Sequence, residues 1–318
     1  MPELPEVETV RAGLAPALTG ARVLAIEIFD ERSLKRHRSG PADFVQTLVG
    51  ARIASVVRRG KFIWMPLEFD SKSATQQAGT PQLALVGHLG MSGQMLLRKR
   101  GDVPDKLTRV IINCETKRGK LIEFRFIDQR LFGGLQLDEL VATPDARAGG
   151  FSPNAVKAKW WTNLIPASAA HIARDPLDEF FDADAVWLRF HKKHSGVKRV
   201  LLDQQLLSGI GNIYADEALW QAKLHYDQPA DTIKRTTFDS LLASVRSILE
   251  KAVAEGGTSF DEQYKNVNGE SGYFDVSLNA YGMTDQPCGR CGKAIRRDSW
   301  MNRGSHFCPN CQRLRKTA

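Results

Sequence analysis

Val7, Val10, Leu14 and Leu18 recur at a spacing of three to four, which predicts a helix over 5–18 that Gly20 stops. From residue 22 to about 137 the period shortens. Apolar-rich runs at 23–29, 52–57, 62–67, 83–88, 110–113, 121–127 and 135–137 are separated by turn residues, the texture of an antiparallel sandwich or barrel. Within this region 71–82 is rich in Ser, Thr, Gln and Gly and reads as a surface loop. Thr143-Pro144-Asp145 and Gly149-Gly150 open a connection. From residue 177 the pattern becomes helical, over 182–194, 197–207, 214–223 and 236–255, with Gly256-Gly257 closing the last helix. Ser208-Gly209-Ile210-Gly211-Asn212 forms a turn whose glycines let backbone approach a partner closely. Residues 259–280 carry little apolar period and read as a loop. No internal repeat is present. The domains expected are 1–150, a connection over 151–176, a helical domain over 177–258, a loop over 259–284 and a tail over 285–318.

Composition adds size and charge. The 318 residues suffice for two domains, and 42% hydrophobic with 25% charged residues is ordinary for a globular protein. No apolar run reaches membrane-spanning length and no signal pattern opens the chain, so a cytoplasmic protein without a membrane partner is expected. The net charge of +8 favours a polyanionic partner. The excess concentrates in 285–318, where eight Lys or Arg face two acids. Four of the five cysteines also lie there; Cys114, inside an apolar run, reads as a packed core thiol.

Two places carry candidate chemistry. The chain opens Met1-Pro2-Glu3-Leu4-Pro5-Glu6-Val7-Glu8. Removal of Met1 leaves Pro2 with a terminal secondary amine, and α-amino groups titrate near ~7.7–8. An amine nucleophile beside Glu3 and Glu6 suits imine chemistry on a sugar aldehyde. The same residues also suit an ordinary helix start, with proline and acids in the first turn. At the other end, Cys288-x2-Cys291 and Cys308-x2-Cys311 have 16 residues between the pairs, the spacing of a structural zinc ribbon with no open coordination position. Residues 295–307 read as a basic hairpin with Asn302-Arg303-Gly304 at the bend, suited to phosphates. His306 is not needed as a ligand.

Several motifs in order resemble the formamidopyrimidine-DNA glycosylases: Pro2 to Glu8, His88-Leu89-Gly90-Met91-Ser92-Gly93, Gly209-Ile210-Gly211-Asn212-Ile213-Tyr214, Gly272-Tyr273-Phe274, Tyr281-Gly282, and Arg303 through Gln312. The resemblance implies an α+β multidomain fold: an N-terminal helix with an antiparallel β-sandwich, a helix–two-turn–helix domain, and a C-terminal four-cysteine zinc finger. It implies a monomeric base-excision repair enzyme that removes 8-oxoguanine and formamidopyrimidines from duplex DNA and then cuts the abasic site, in a bacterial-type cytoplasm near the nucleoid. Pro2 is then the Schiff-base nucleophile, Glu3 an acid/base and Glu6 an orienter of water. Lys61 contacts phosphate and assists the chemistry. His88, Lys198, Asn212, Tyr281 and Arg303 are phosphate contacts. Met91, Arg130 and Phe132 fill the gap left by an extruded base, with 259–274 folding over it. One zinc sits on Cys288, Cys291, Cys308 and Cys311. In Asp128-Gln129-Arg130-Leu131-Phe132-Gly133, Gln129 and Leu131 depart from the family's usual Pro and Arg/Lys. Leu4, Met91, Arg130 and Phe132 favour this branch over relatives resembling endonuclease VIII. A DNA-binding zinc-ribbon protein without catalysis is the alternative of another class; Pro2, Glu3, Glu6 and Lys61 argue against it.

Overall fold

The computed structural model describes residues 2–70, 81–153, 159–258 and 278–315. Most of the loops expected over 71–82 and 259–280 lies outside them, as do Met1 and Gly272-Tyr273-Phe274. The chain divides into two compact units, one of residues 1–2, 6–171 and 259–272, the other of residues 3–5, 172–258 and 273–318.

The first unit is a helix and an antiparallel sheet system. Helix α1 spans Leu4–Leu18, with Glu6 in its first turn, where the helix dipole favours a negative charge. Strands β1 (Arg22–Ile28), β2 (Arg52–Ile53), β3 (Val57–Arg59), β4 (Phe62–Glu68), β5 (Leu83–His88), β6 (Gly93–Lys99), β7 (Thr108–Glu115), β8 (Leu121–Asp128), β9 (Gly134–Ala142) and β10 (Leu164–Pro166) follow. They are ordered β10-β9-β5-β4-β2-β1-β7-β8-β6, with β3 added to β4. The two halves of this path meet at β4, which pairs with β5 through Ile63–Pro66 and with β2 through Leu67 and Glu68. Alternation decides the packing. Ile63, Met65 and Leu85 enter one core with Val110, Ile112, Phe124 and the α1 residues Val7, Val10, Leu14 and Leu18. Trp64, Ala84 and Val86, on the opposite face, pack against Trp161, Ile165 and Ala169. Cys114 is buried in the first core, and burial pushes its thiol up to about 12, as a packing residue requires.

Helix α2 (Gly40–Leu48), β6 and β10 were not foreseen. Helix α2 buries only Phe44 and Leu48, too few apolar points to set a period.

The second unit holds α3 (Ala183–Phe190), α4 (Val197–Leu201), α5 (Asn212–Gln221) and α6 (Arg235–Ala254). A core including Phe190, Val200, Leu219, Phe238, Leu242 and Leu249 joins them, and Leu4 belongs to it. Helix α6 ends as expected at Gly256-Gly257, both at positive φ. Their amides donate to Val253 and Ala252 carbonyls at 3.2 and 2.8 Å, a Schellman closure. The helix expected over 197–207 stops at Leu201 instead. Gln204 braces the ensuing turn: its amide donates to the Leu202 and Ile210 carbonyls at 2.9 Å, and its oxygen accepts from the Gly209 amide at 3.0 Å. The last strands, β11 (Arg296–Trp300) and β12 (Arg303–Phe307), form a hairpin. Trp300 pairs with Arg303, so the bend is Met301-Asn302 and not Asn302-Arg303-Gly304. Both bend residues adopt positive φ, 44° and 59°, as a two-residue hairpin turn requires. Among the described residues no helix is long and apolar enough to cross a membrane.

Candidate active site

In the second unit the glycine turn receives the chain's own start. The Leu4 amide donates to the Gly209 carbonyl at 2.9 Å. Glu3, 2% exposed, accepts from the Gly211 amide at 2.5 Å and from the Ile213 amide at 3.0 Å, so its carboxylate caps the N-terminus of α5. A Cβ on Gly211 would stand 2.3 Å from Glu3 Cδ, and one on Gly209 would stand 2.7 Å from Leu4 Cδ1. The close approach these glycines permit is thus to residues 3 and 4.

Asn212 opens α5 and donates through Nδ2 to the Gly304 carbonyl at 3.1 Å. Tyr281 packs edge-on against His306 with ring centroids 4.8 Å apart. Burial pushes the Tyr281 phenol up, and its hydrogen bond with Asn212 opposes the shift. The backbone under Tyr281 is pinned by buried Glu217, which accepts the Asn279, Ala280 and Tyr281 amides at 2.8–3.0 Å. Burial raises the Glu217 pKa and those amides lower it. Arg303 is exposed at the start of β12. The unit therefore gathers Asn212, Tyr281 and the Arg303 strand around the start of α5.

Lys198 does not fit the direct phosphate contact expected of it. Its side chain has no exposed surface. The ammonium lies 2.6 Å from Asp216 and donates to Ser305 Oγ at 2.9 Å and the Gly304 carbonyl at 3.3 Å. Burial lowers its pKa, and the Asp216 charge opposes that. Asp216 also accepts the His306 amide at 2.9 Å. The pair thus braces β12 against α5. Its sequence spacing gives no sign of it.

The cysteines answer the zinc expectation. Their four sulfurs lie within 4.8 Å of one another. A Zn–S length of ~2.3 Å implies tetrahedral S···S edges of ~3.8 Å, so one structural zinc fits. Trp220 Nε1 donates to Cys288 Sγ at 3.4 Å, and the Cys311 amide donates to Cys308 Sγ at 3.4 Å, outer contacts that hold the thiolates in place.

The first unit carries the remaining candidates. Pro2 and Glu6 are buried, Glu6 in the first turn of α1. Lys61 sits with Gly60 in the two-residue turn joining β3 to β4, since Arg59 pairs with Phe62. Arg58 anchors that turn: Nε donates to Glu8 at 2.9 Å and Nη1 to the Gly60 carbonyl at 3.3 Å. Glu8 also takes Arg11 at 2.8–3.0 Å. Sequence reading passed over this buried triad; its trace was the acid–base spacing of Glu8 and Arg11 on one helix face.

His88 ends β5, and its Nδ1 accepts the Gly90 amide at 3.1 Å. Burial, with the charges of Arg36 and Lys61, pushes its pKa down to about 4. A neutral ring bonded so at Nδ1 carries its proton on Nε2, and His88 therefore presents a hydrogen-bond donor and no charge. Met91, Arg130 and Phe132 are exposed on two neighbouring loops, with the Arg130 guanidinium 5.1 Å from the Phe132 ring centroid.

Family models for the formamidopyrimidine-DNA glycosylase N-terminal domain, the formamidopyrimidine-DNA glycosylase H2TH domain and the zinc finger found in FPG and IleRS match residues 1–135, 172–263 and 285–314. The formamidopyrimidine-DNA glycosylase of Leifsonia xyli is 52% identical over 99% of this chain and 100% of its own length. That of Mycobacterium ulcerans is 47% identical over 98% of each. A Lactococcus lactis FPG variant solved with Fapy-dG DNA superposes with TM-score 0.77 at 28% identity, covering 98% of this chain and 100% of that one. MutM bound to DNA containing carbocyclic 8-oxo-G gives 0.76 at 28% identity, with 98% and 100% covered.

Proposed function

The chain belongs to the formamidopyrimidine-DNA glycosylase family, and from that premise we propose that it excises 8-oxoguanine and formamidopyrimidines from duplex DNA and then cuts the abasic site. The Pro2 nitrogen attacks C1′ while the bond from C1′ to the base breaks, and the base leaves with the bonding pair and takes a proton from water. Glu3 takes the amine proton and returns it to O4′ as the C1′–O4′ bond opens, leaving an iminium on Pro2. Loss of a C2′ proton expels the 3′ phosphate, and a second elimination expels the 5′ phosphate. Water, oriented by Glu6, hydrolyses the iminium and restores the amine.

One observation carries this reading. The carboxylate that follows Pro2 in the chain is fixed by two amides at a helix N-terminus, which holds this acid/base group in one orientation. Lys61, His88, Asn212, Tyr281 and Arg303 hold phosphates, Lys61 and Arg303 with charge and the others with hydrogen bonds. Met91 and Phe132 wedge into the gap, and Arg130 bonds the widowed cytosine. The protein acts as a monomer on DNA in the cytoplasm.

The test is borohydride trapping on an 8-oxoguanine:cytosine duplex, with intact mass verifying the loss of Met1. A covalent adduct is expected, and Pro2→Gly should abolish it. Tight binding with no adduct would support a damage reader in place of an enzyme. Wild-type excision by Pro2→Gly would remove the nucleophile assignment.

A further inference from the structure

The two loops bearing Met91, Arg130 and Phe132 are built as one piece. Asp128, with no exposed surface, accepts the Ser92 hydroxyl at 2.6 Å, the Arg130 amide at 3.1 Å and the Gly133 amide at 2.8 Å. The Arg130 amide also reaches Ser92 Oγ at 3.1 Å. Behind these bonds the loop backbones touch. A Cβ on Gly90 would stand 2.4 Å from the Gly133 nitrogen, and one on Gly133 would stand 2.6 Å from the His88 carbonyl oxygen.

Two exposed cations of a separate segment complete the arrangement. Lys35 Nζ donates to the Leu131 carbonyl at 2.6 Å, and Arg36 Nη2 donates to the Phe132 carbonyl at 3.2 Å. The root of that segment is fixed. Leu34 is 2% exposed in the core, and Ser33 Oγ donates to the Asp30 carbonyl at 2.7 Å. Leu131 holds a φ of 54°, a left-handed conformation that is strained for a non-glycine residue unless its surroundings enforce it.

We propose that Lys35 and Arg36 are positioning residues that clamp the Leu131 and Phe132 peptides, keeping the wedge formed before DNA arrives. The proposal rests on the reading of Met91, Arg130 and Phe132 as the gap-filling residues. An exposed lysine surrenders side-chain entropy to stay on one carbonyl, and here it holds the residue whose backbone most needs holding. With the clamp removed, Leu131 relaxes toward negative φ and Phe132 loses its orientation. Base extrusion slows while the chemistry on an extruded sugar does not.

The experiment is single-turnover excision from an 8-oxoguanine:cytosine duplex by Lys35→Met/Arg36→Met, by Phe132→Ala, and by the triple variant. Clamp removal should slow excision roughly tenfold, about the worth of one charge-assisted hydrogen bond. In the Phe132→Ala background it should cost less than about twofold, because the residue it positions is gone. Lys35→Arg should keep most of the rate. Equal losses in both backgrounds would overturn the clamp in favour of a general phosphate role, and so would no loss in either. Wild-type excision by Phe132→Ala would instead sink the wedge reading itself. Both cations are exposed, and thermal melting checks the fold; Lys35→Met alone carries the same cycle should the double variant unfold.

Discussion

Gly211→Ala is the sharpest probe of the N-terminal carboxylate. Gly211 has φ −129° and ψ −157°, extended backbone that alanine adopts without strain. The added methyl, however, would stand 2.3 Å from Glu3 Cδ and 2.4 Å from Oε1, and a carboxylate anchored to two amides cannot yield without releasing them. Hydrogen bonds to a charged group contribute about 1.5–3 kcal/mol each. Losing one to both of the Gly211 and Ile213 bonds through partial displacement costs about 2–4 kcal/mol of positioned acid/base function, roughly 30- to 1000-fold in rate. The assay is single-turnover excision of 8-oxoguanine with borohydride trapping alongside. Gly211→Ala should bind the lesion duplex nearly as wild type but release base and form adduct at least about 30-fold more slowly. Combined with Glu3→Gln it should add little, since both changes disable one group. Excision within about threefold of wild type, in a variant whose melting temperature shows a folded protein, would refute the role given to the Glu3 cap.

His88 supplies a pH prediction. Its folded pKa is depressed to about 4, below the ~6.5 of an unfolded chain. Between those values the unfolded state binds more protons, so its contribution to stability is complete above pH ~6.5 and is lost as pH falls toward 4. His88→Gln should flatten denaturant-derived stability across that window, and an unchanged slope would disprove burial as the cause. The zinc supplies another. Chelation checked by metal analysis should unfold β11–β12 and weaken binding even to undamaged duplex at moderate salt; unchanged affinity would remove the finger from the DNA interface.

What the sequence discloses follows from how local its causes are. Helix 5–18 was legible because one apolar period fixes it, and strand 83–88 because an unbroken apolar run does; they appear as Leu4–Leu18 and Leu83–His88. The four cysteines were legible because chelation geometry is written in their spacing. Strand β6 was not, because Arg98 and Lys99 interrupt its alternation while Arg98 is held by Asp105. Helix 197–207 was overextended because no local rule announces that the Gln204 side chain takes the Leu202 and Ile210 carbonyls. The bend of the finger was misplaced by one residue for a similar reason. Gly304 reads as a turn glycine, but it lies within the strand, paired with Ser299. The resemblance implied a phosphate contact for Lys198, and its burial was not legible because Asp216, Gly304 and Ser305 meet it only in three dimensions.

The brace at Asp216 has a bearing on how the protein is made. Two of the groups that satisfy that buried acid, Ser305 and His306, are synthesised some 90 residues after it. Until they emerge from the ribosome, a charged pair must wait in the nascent helical core with acceptors and donors unmet, a costly state for a desolvated ion. The helical unit consequently matures late, when the last strand docks, and a message cut short before codon 305 yields a product that cannot complete its own interior.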